Sequence, residues 1–390
     1  MFGSQYNIIP FYGIFVWMNA ELSISGKQWA KLGGLFFICL IISILSYFPA
    51  TIERFYSTGF YPGYATVLRL LTKSIPFSIG DIAYLIAGVW LTICFFRGIA
   101  RLIRFRFAKN ILLFTAYRFA RFVLCVYLVF KLVWGLNYYR IGIADRLHIQ
   151  QNAYSTEEVT RLTDQLIDQL NQCRKALPDS TLPSPSLDSI YREAYRCYGN
   201  LSDQYAFLNY TNRSVKSSLF TGSADYFGFT GYYNPFSGEA QIRTDVPRIL
   251  IPYIVCHEMA HQLGFASESE ANFVGYLAAS SSKDAYFRYS VYLDLFSYAQ
   301  GEEIRMYGKE KDFTAFESLL GQNRNRLDTL VKKDRKEIRE FFYKRRNRIS
   351  PAISSLYDQY LKMNKQPEGV NSYNDVVGWL IAYQKKYGKL

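Results

Sequence analysis

The sequence predicts a membrane region of three α-helical spans over residues 1–140, followed by a mainly helical α+β domain over residues 141–390. Three observations carry this reading. The first third of the 390-residue chain holds three long apolar runs. It also holds most of the basic excess: residues 1–140 contain 14 Lys/Arg against 3 Asp/Glu, whereas residues 141–390 contain 31 against 29. The remainder alternates helical periodicity with one tract rich in Ser, Thr, Phe, Tyr and Gly. With 50% of residues apolar and only 20% charged, the chain has ample surface to bury, which excludes general disorder.

The first run, Leu32 to Ile52, is 21 residues without a formal charge, enough helix to cross a ~30 Å hydrocarbon layer. The second, Ile82 to Phe96, is preceded by a neutral stretch from Ile75 to Gly80, with Asp81 as its one ionisable edge. The third lies between about Phe114 and Leu136, with Lys131 placed to snorkel and Trp134, Tyr138 and Tyr139 suited to an interfacial belt. Ile8 to Met18 is apolar but has neither a preceding basic segment nor a small-residue cleavage site, so no cleavable signal is expected and the first span serves as an anchor.

Cations set the expected orientation. Arg97, Arg101, Arg104, Arg106 and Lys109 crowd the second connection, which positive-inside reasoning places in the cytoplasm. The chain beyond Arg140 then lies across the bilayer. These residues are interleaved with Phe, Ile and Leu between apolar segments, so they read as topology signals and no nucleic-acid partner is expected. Six cysteines, three in the presumed spans and three beyond them, make no disulfide framework. Spacing leaves open a bridge between Cys173 and Cys197.

In the second region, Ser155 and Glu158 form a capping-box signature ahead of Val159, Leu162, Leu166 and Leu170, which predicts a helix over 155–176. A short helix is expected over 187–197, ending at Gly199-Asn200. Residues 214–244 read as strand and turn, with turn chemistry at Asn234-Pro235-Phe236-Ser237-Gly238 and period-two alternation after it. Mixed-charge helices over 313–348 and a terminal amphipathic helix over 371–387 complete the pattern.

The chemistry is carried by His257-Glu258-Met259-Ala260-His261. The chain has three histidines, and two of them stand four apart. On a helix, four residues advance about 400°, so both imidazoles project from one face, near enough to share a metal ion. Zinc suits such a pair. Glu258 is offset by about 100°, the position of a general base beside the metal rather than of a ligand. Pro247 and Pro252 fit only if each lies in or before the first turn, or if Pro252 kinks the helix, and Gly264 is placed to end it. The third histidine, His148, reads as structural.

A catalytic zinc takes three protein ligands, and Glu268 and Glu270 both follow within reach of a second helix. Glu268-Ser269-Glu270-Ala271-Asn272 after His-Glu-x-x-His resembles the gluzincin type of zinc metallopeptidase, in which Glu-x-x-Ala/Ser-Asp/Asn lies on the helix after the motif. The resemblance implies a zincin-like metallopeptidase domain, Zn2+ as cofactor, Glu268 as third ligand with Glu270 as runner-up, and Asn272 as the residue that orients a ligand histidine. Residue 267 is Ser, which disfavours the metzincin pattern. A wider likeness is to a little-characterised family of bacterial multi-span membrane proteins with a Gly-Tyr-Tyr-Asn-Pro-Phe-like tract. Together these imply a peptide or protein substrate, the lipid bilayer as the other partner, and a bacterial inner-membrane location with the C-terminal domain on the periplasmic or extracellular side. The alternative is a membrane-anchored zinc sensor or an inactive peptidase-like binding protein.

Two further expectations concern substrate. The strand tract before residue 244 is in sequence position to pair with an extended peptide. Tyr232 and Tyr233 are candidate donors to an oxyanion, or substrate contacts.

Overall fold

A computed structural model describes residues 24–104, 108–150, 153–179, 182–310, 313–369, 375–388 and 390. The apolar segment from Ile8 to Met18 and Arg106 lie outside them. The chain forms two compact units, one of residues 1–48 and 83–132 and one of residues 49–82 and 133–390.

The first unit contains α1 (Gly26–Leu45), most of α3 (Ile79–Arg104) and α4 (Lys109–Val133), three helices long and apolar enough to cross a membrane. α1 begins six residues earlier than the run Leu32 to Ile52 suggests, because Ser25 and Gln28 close a reciprocal capping box at its start. It ends at Leu45, ahead of Pro49, so the run is cut short at its far end. Phe36, Phe37, Leu85, Ile86, Phe95, Phe96 and Phe119 are exposed along these helices. Such a surface is unfavourable in water and suits lipid. Trp29 meets the Tyr117 ring edge-on at 5.9 Å, and Trp90 packs on Phe122.

The second unit is discontinuous in the chain. Residues 49–82, the connection between the first two apolar helices, form a helical turn, a π-helical stretch over Ile52–Phe60 and the helix α2 (Tyr61–Thr72). A division at residue 140 gives this connection to the membrane region, whereas its packing places it with residues 133–390. Trp134 and Tyr138 likewise do not form an interfacial belt. Trp134 is buried against Tyr61 and Tyr233, and the Tyr138 hydroxyl lies 3.1 Å from that of Tyr360.

The rest of this unit is mainly helical. α5 (Thr156–Lys175) starts at the expected Ser155 capping box and buries Val159, Leu162, Leu166 and Leu170 along α9 (Ala285–Glu310). α6 (Leu187–Gln204) runs through Gly199-Asn200, where a turn was expected, because Ile190, Ala194, Cys197, Tyr198 and Leu201 keep one buried stripe across that point. Cys173 and Cys197 are buried free thiols, so the bridge left open by spacing is absent.

The tract over 214–244 forms a three-stranded sheet in the order β1 (Val215–Ser217), β3 (Glu239–Ile242), β2 (Gly231–Asn234). β1 is parallel to β3 and β2 antiparallel to it, with Tyr233 opposite Ala240. Asn234 shapes the β2–β3 turn by accepting from the amides of Phe236 and Ser237 through Oδ1. Against the sheet lies α7 (Ile251–Gln262), every residue of which is buried, followed by α8 (Glu268–Ser280). α10 (Phe313–Arg326), α11 (Thr329–Lys344), α12 (Ser350–Met363) and α13 (Val376–Tyr387) follow. α13 matches the expected terminal helix from Val376 onward, and residues 371–374 lie outside those described.

Candidate metal centre

The two histidines owe their placement to how α7 ends and how closely α8 returns. Pro252 sits in the first turn of α7, where its missing N–H costs nothing. At the other end Gly264, with φ +88°, turns the chain in the left-handed region, and its amide donates to the His261 carbonyl oxygen at 2.8 Å. A side chain there would meet the Tyr61 ring at 3.0 Å. Only three further residues separate Gly264 from α8. The helices approach tightly because α8 presents Gly275 to α7: a Cβ at that position would lie 3.1 Å from the amide nitrogen of His257. This contact accommodates the short interval between His261 and Glu268.

Three ligand atoms thereby converge. His257 Nε2 lies 3.1 Å from His261 Nε2, and Glu268 Oε2 lies 3.2 Å from the first and 3.5 Å from the second. A tetrahedral ion with bonds of about 2.0–2.1 Å holds its ligand atoms about 3.3–3.4 Å apart, so the triangle has the right size. Glu268 Oε2 is buried and faces both imidazole nitrogens. The Nδ1–H of His261 donates to the Phe265 carbonyl oxygen at 2.6 Å, which fixes the ring and turns Nε2 toward the other two atoms. Two imidazoles and a carboxylate are a donor set suited to zinc, and all three side chains are buried.

The electrostatics follow from burial and the tight grouping. Burial alone would raise the Glu268 carboxyl, but the charges of His261 and His257 and hydrogen bonds from both outweigh it and hold the group well below the usual carboxylate range. Burial opposes the charged form of His261 too, yet Glu268 pulls it up to about 9. Glu258 is not one of the three converging ligands. Burial pushes its carboxyl up to about 6, partly offset by the two histidines, and its Oε2 has no hydrogen-bond partner among the described residues. It sits against β2 at Gly231, where a Cβ would lie 2.6 Å from Glu258 Oε1. The glycine makes room for this carboxylate.

Glu270, the runner-up ligand, is placed outside the triangle. Its Oε1 accepts from the amide of Ile143 at 2.6 Å, at the start of the helical turn Ile143–Leu147. Asn272 accepts from the Tyr253 hydroxyl, at 3.0 Å through its carbonyl oxygen and at 3.3 Å through Oδ1. Tyr232 donates to Asp81 Oδ1 at 2.6 Å, away from the triangle. Tyr233 lies on the histidine side: its hydroxyl accepts from Tyr61 at 3.1 Å, and Trp134 packs edge-on against both Tyr233 and His261. His148 is exposed, in left-handed conformation at the end of the Ile143–Leu147 turn.

Two contributions were not read from sequence. The first is the connection over 49–82. Tyr61 reaches the His261 carbonyl oxygen at 3.4 Å, and the buried Arg69 donates to the carbonyl oxygens of Gln262 and Thr211 at 3.0 and 2.9 Å. Asp81 receives Tyr232 and the Leu219 amide, and Glu239 of β3 accepts from the amides of Ile79 and Gly80 at the start of α3. Nothing in an apolar-run reading distinguishes such a connection from a simple loop, although the charges of Glu53, Arg54, Arg69, Lys73 and Asp81 between long apolar runs are a visible signal. The second is α12, whose Tyr357 hydroxyl donates to Glu268 Oε1 at 2.7 Å. Among 33 tyrosines no signal marks it.

These features define a mainly helical protein with three apolar helices of membrane-crossing length and a buried His-His-Glu cluster beside a small sheet. The chain belongs to the family described as "Protein of unknown function (DUF3810)", which matches residues 56–381 and so takes in both the 56–82 part of the connection and the cluster. Comparison with curated proteins and with solved structures gives no match.

Proposed function

We propose that this protein is a membrane-anchored zinc metallopeptidase with a zincin-like domain, in which His257, His261 and Glu268 hold the metal and Glu258 is the general base. The observation that carries the reading is the 3.1–3.5 Å triangle of ligand atoms with an uncommitted, buried carboxylate on the next residue of the same helix. When bound, zinc supplies Lewis acidity that polarises a carbonyl group and makes a water molecule more acidic.

The chain's own residues do the rest. Glu258, its carboxyl raised toward neutrality by burial, takes a proton from the attacking water and passes it to the leaving amine. His261 is held by the Phe265 carbonyl oxygen, and Asn272 supports the same pair of helices through Tyr253. β2 pairs with β3 on one side only among the described residues, and its Gly231 abuts Glu258. An extended peptide added to that edge would pass the base, with Tyr233 rather than Tyr232 on the cluster side. Displacement of Glu270 to the Ile143 amide leaves three protein ligands rather than four, which favours a catalytic over a closed structural site.

That residues 49–82 and 133–390 share one unit supports putting both on the same side of a bilayer crossed by α1, α3 and α4. Arg97, Arg101 and Arg104 at the end of α3 and Lys109 at the start of α4 support a cytoplasmic location for the opposite side and hence an exoplasmic domain, in keeping with the bacterial inner-membrane location that the resemblance implies. The deciding experiment is Glu258→Gln in the full-length protein, assayed on unfolded protein substrates with zinc content measured in parallel. Hydrolysis is expected to vanish while about one equivalent of zinc remains; unchanged hydrolysis, or a parent protein without zinc, overturns the reading.

A further inference from the structure

The residues around Glu268 suggest how its coordination is set. A carboxylate can offer a metal one oxygen or two, and the two oxygens of Glu268 have different surroundings. Oε2 faces His257 and His261. Oε1 accepts from the Tyr357 hydroxyl at 2.7 Å. The phenol is the donor in this pair, because an ionised carboxylate offers only acceptors.

Tyr357 belongs to α12, a helix with few buried anchors. Leu361 is its buried apolar side chain, whereas Leu356 and Met363 are exposed. Several of its polar ties run toward the cluster. Besides Tyr357, the Tyr360 hydroxyl meets that of Tyr138 at 3.1 Å, the Tyr357 and Tyr360 rings stack, and Gln366 just beyond the helix accepts from the Glu268 amide at 3.0 Å. The histidines, Glu258 and Glu268 are each less than a tenth exposed, so a polypeptide reaches them only if a covering element shifts.

We infer that Tyr357 is a positioning residue that restricts Glu268 to one-oxygen ligation, and that α12 is a cover whose closure is tied to the metal through this hydrogen bond. This inference rests on the zinc reading above. Lifting α12 to admit substrate breaks the Tyr357–Glu268 bond and frees Oε1, so site access and ligand geometry change together. The helix itself buries a single apolar side chain rather than a wide apolar face, as expected of an element that moves.

The test uses the full-length protein in detergent, with zinc and cobalt(II) affinities measured by chelator competition and the cobalt absorption recorded. Tyr357→Phe keeps the ring and removes the donor. It is expected to weaken metal binding by about 10–100-fold and to lower the cobalt band intensity, as an added oxygen ligand raises the coordination number. Tyr360→Phe, which leaves the Glu268 contact in place, should change affinity by less than about threefold. In the unaltered protein, zinc should slow amide hydrogen exchange over residues 350–366, and that effect should be missing in His257→Ala. If the parent binds one zinc but Tyr357→Phe shares its affinity and cobalt spectrum, or if zinc leaves exchange over 350–366 unchanged, the inference is wrong while the zinc reading stands. A parent that binds no zinc removes both.

Discussion

The guanidinium of Arg69 donates to the carbonyl oxygen of Gln262 at 3.0 Å, linking the connection between the first two apolar helices to the last residue of the His-Glu-x-x-His helix. The cation thus meets the negative end of the helix dipole at a carbonyl with no partner further along the helix. Gln262 completes the joint with its side chain, donating to Ser214 and Gly238 and accepting from Tyr210, over whose ring Arg69 lies. Helix, sheet and connection are pinned at one point.

Arg69→Met should therefore be costly. It leaves the buried carbonyl oxygen of Gln262 without this donor, at about 1–3 kcal/mol, and removes the bond to the more exposed Thr211 carbonyl as well as the stacking on Tyr210. We expect about 2–5 kcal/mol of destabilisation by denaturant unfolding, against less than about 0.5 kcal/mol for the exposed Lys73→Met. A loss below about 1 kcal/mol for Arg69→Met would sink the pinning role.

Gly231→Ala tests the room kept for Glu258. The added Cβ would stand 2.6 Å from Oε1 and 2.8 Å from Cγ, so the carboxylate must move. Since about 1 Å of misplacement can cost on the order of 100-fold in rate, hydrolysis should fall by about that factor with zinc content unchanged. Equal loss of zinc and activity would point instead to a disrupted fold.

Glu268→Ala and Glu270→Ala should separate cleanly. The first is expected to lose zinc. The second should keep it, because Glu270 serves the Ile143 amide, and should instead lower stability by about 1–3 kcal/mol by leaving that donor unpaired. Metal analysis beside thermal unfolding distinguishes the two; zinc loss in both variants would contradict the three-ligand assignment.

Glu303 on α9 provides a pH signature. It is buried, accepts from Asn323 at 3.0 Å, and burial pushes its carboxyl up to about 7 from an ordinary 4.5. Between those values the folded state binds the proton more tightly than the unfolded state, so stability falls as pH rises from about 4.5 to 7 and levels off above. The span corresponds to up to about 3 kcal/mol. Glu303→Gln should remove this slope, becoming more stable than the parent at pH 8 by more than at pH 5; parallel unfolding curves across that range would contradict it.

Local chemistry made part of this structure readable in sequence. The Ser155 capping box, the stripe from Val159 to Leu170, the Asn234 turn and the stop at Gly264 each act within a few residues, and each appears where expected. The motif also carried its own geometry, since a four-residue helical spacing brings His257 and His261 together unaided. What could not be read depends on partners distant in the chain. Trp134 and Tyr138 have the composition of an interfacial belt, and only their packing on Tyr61, Tyr233 and Tyr360 gives them another place. Tyr357 reaches Glu268 across 89 residues, and Tyr61 reaches His261 across 200. The resemblance ranks Glu268 ahead of Glu270 as third ligand, but the Ile143 amide that occupies Glu270 is 127 residues away and leaves no trace in the local sequence.

The discontinuous second unit also sets a schedule for synthesis. Tyr61, Arg69 and Asp81 leave the ribosome first, then two apolar helices, and Gln262 follows about 180 residues after Ile82. At roughly 5–20 residues per second, the connection waits about 10–40 s for the helix it caps. Throughout that interval its buried cation and aromatic side chains have no native partners from the later segment. A fragment beginning at residue 141 would never receive them. Any soluble version of the domain therefore has to carry residues 49–82 in its own chain or be given them as a separate peptide.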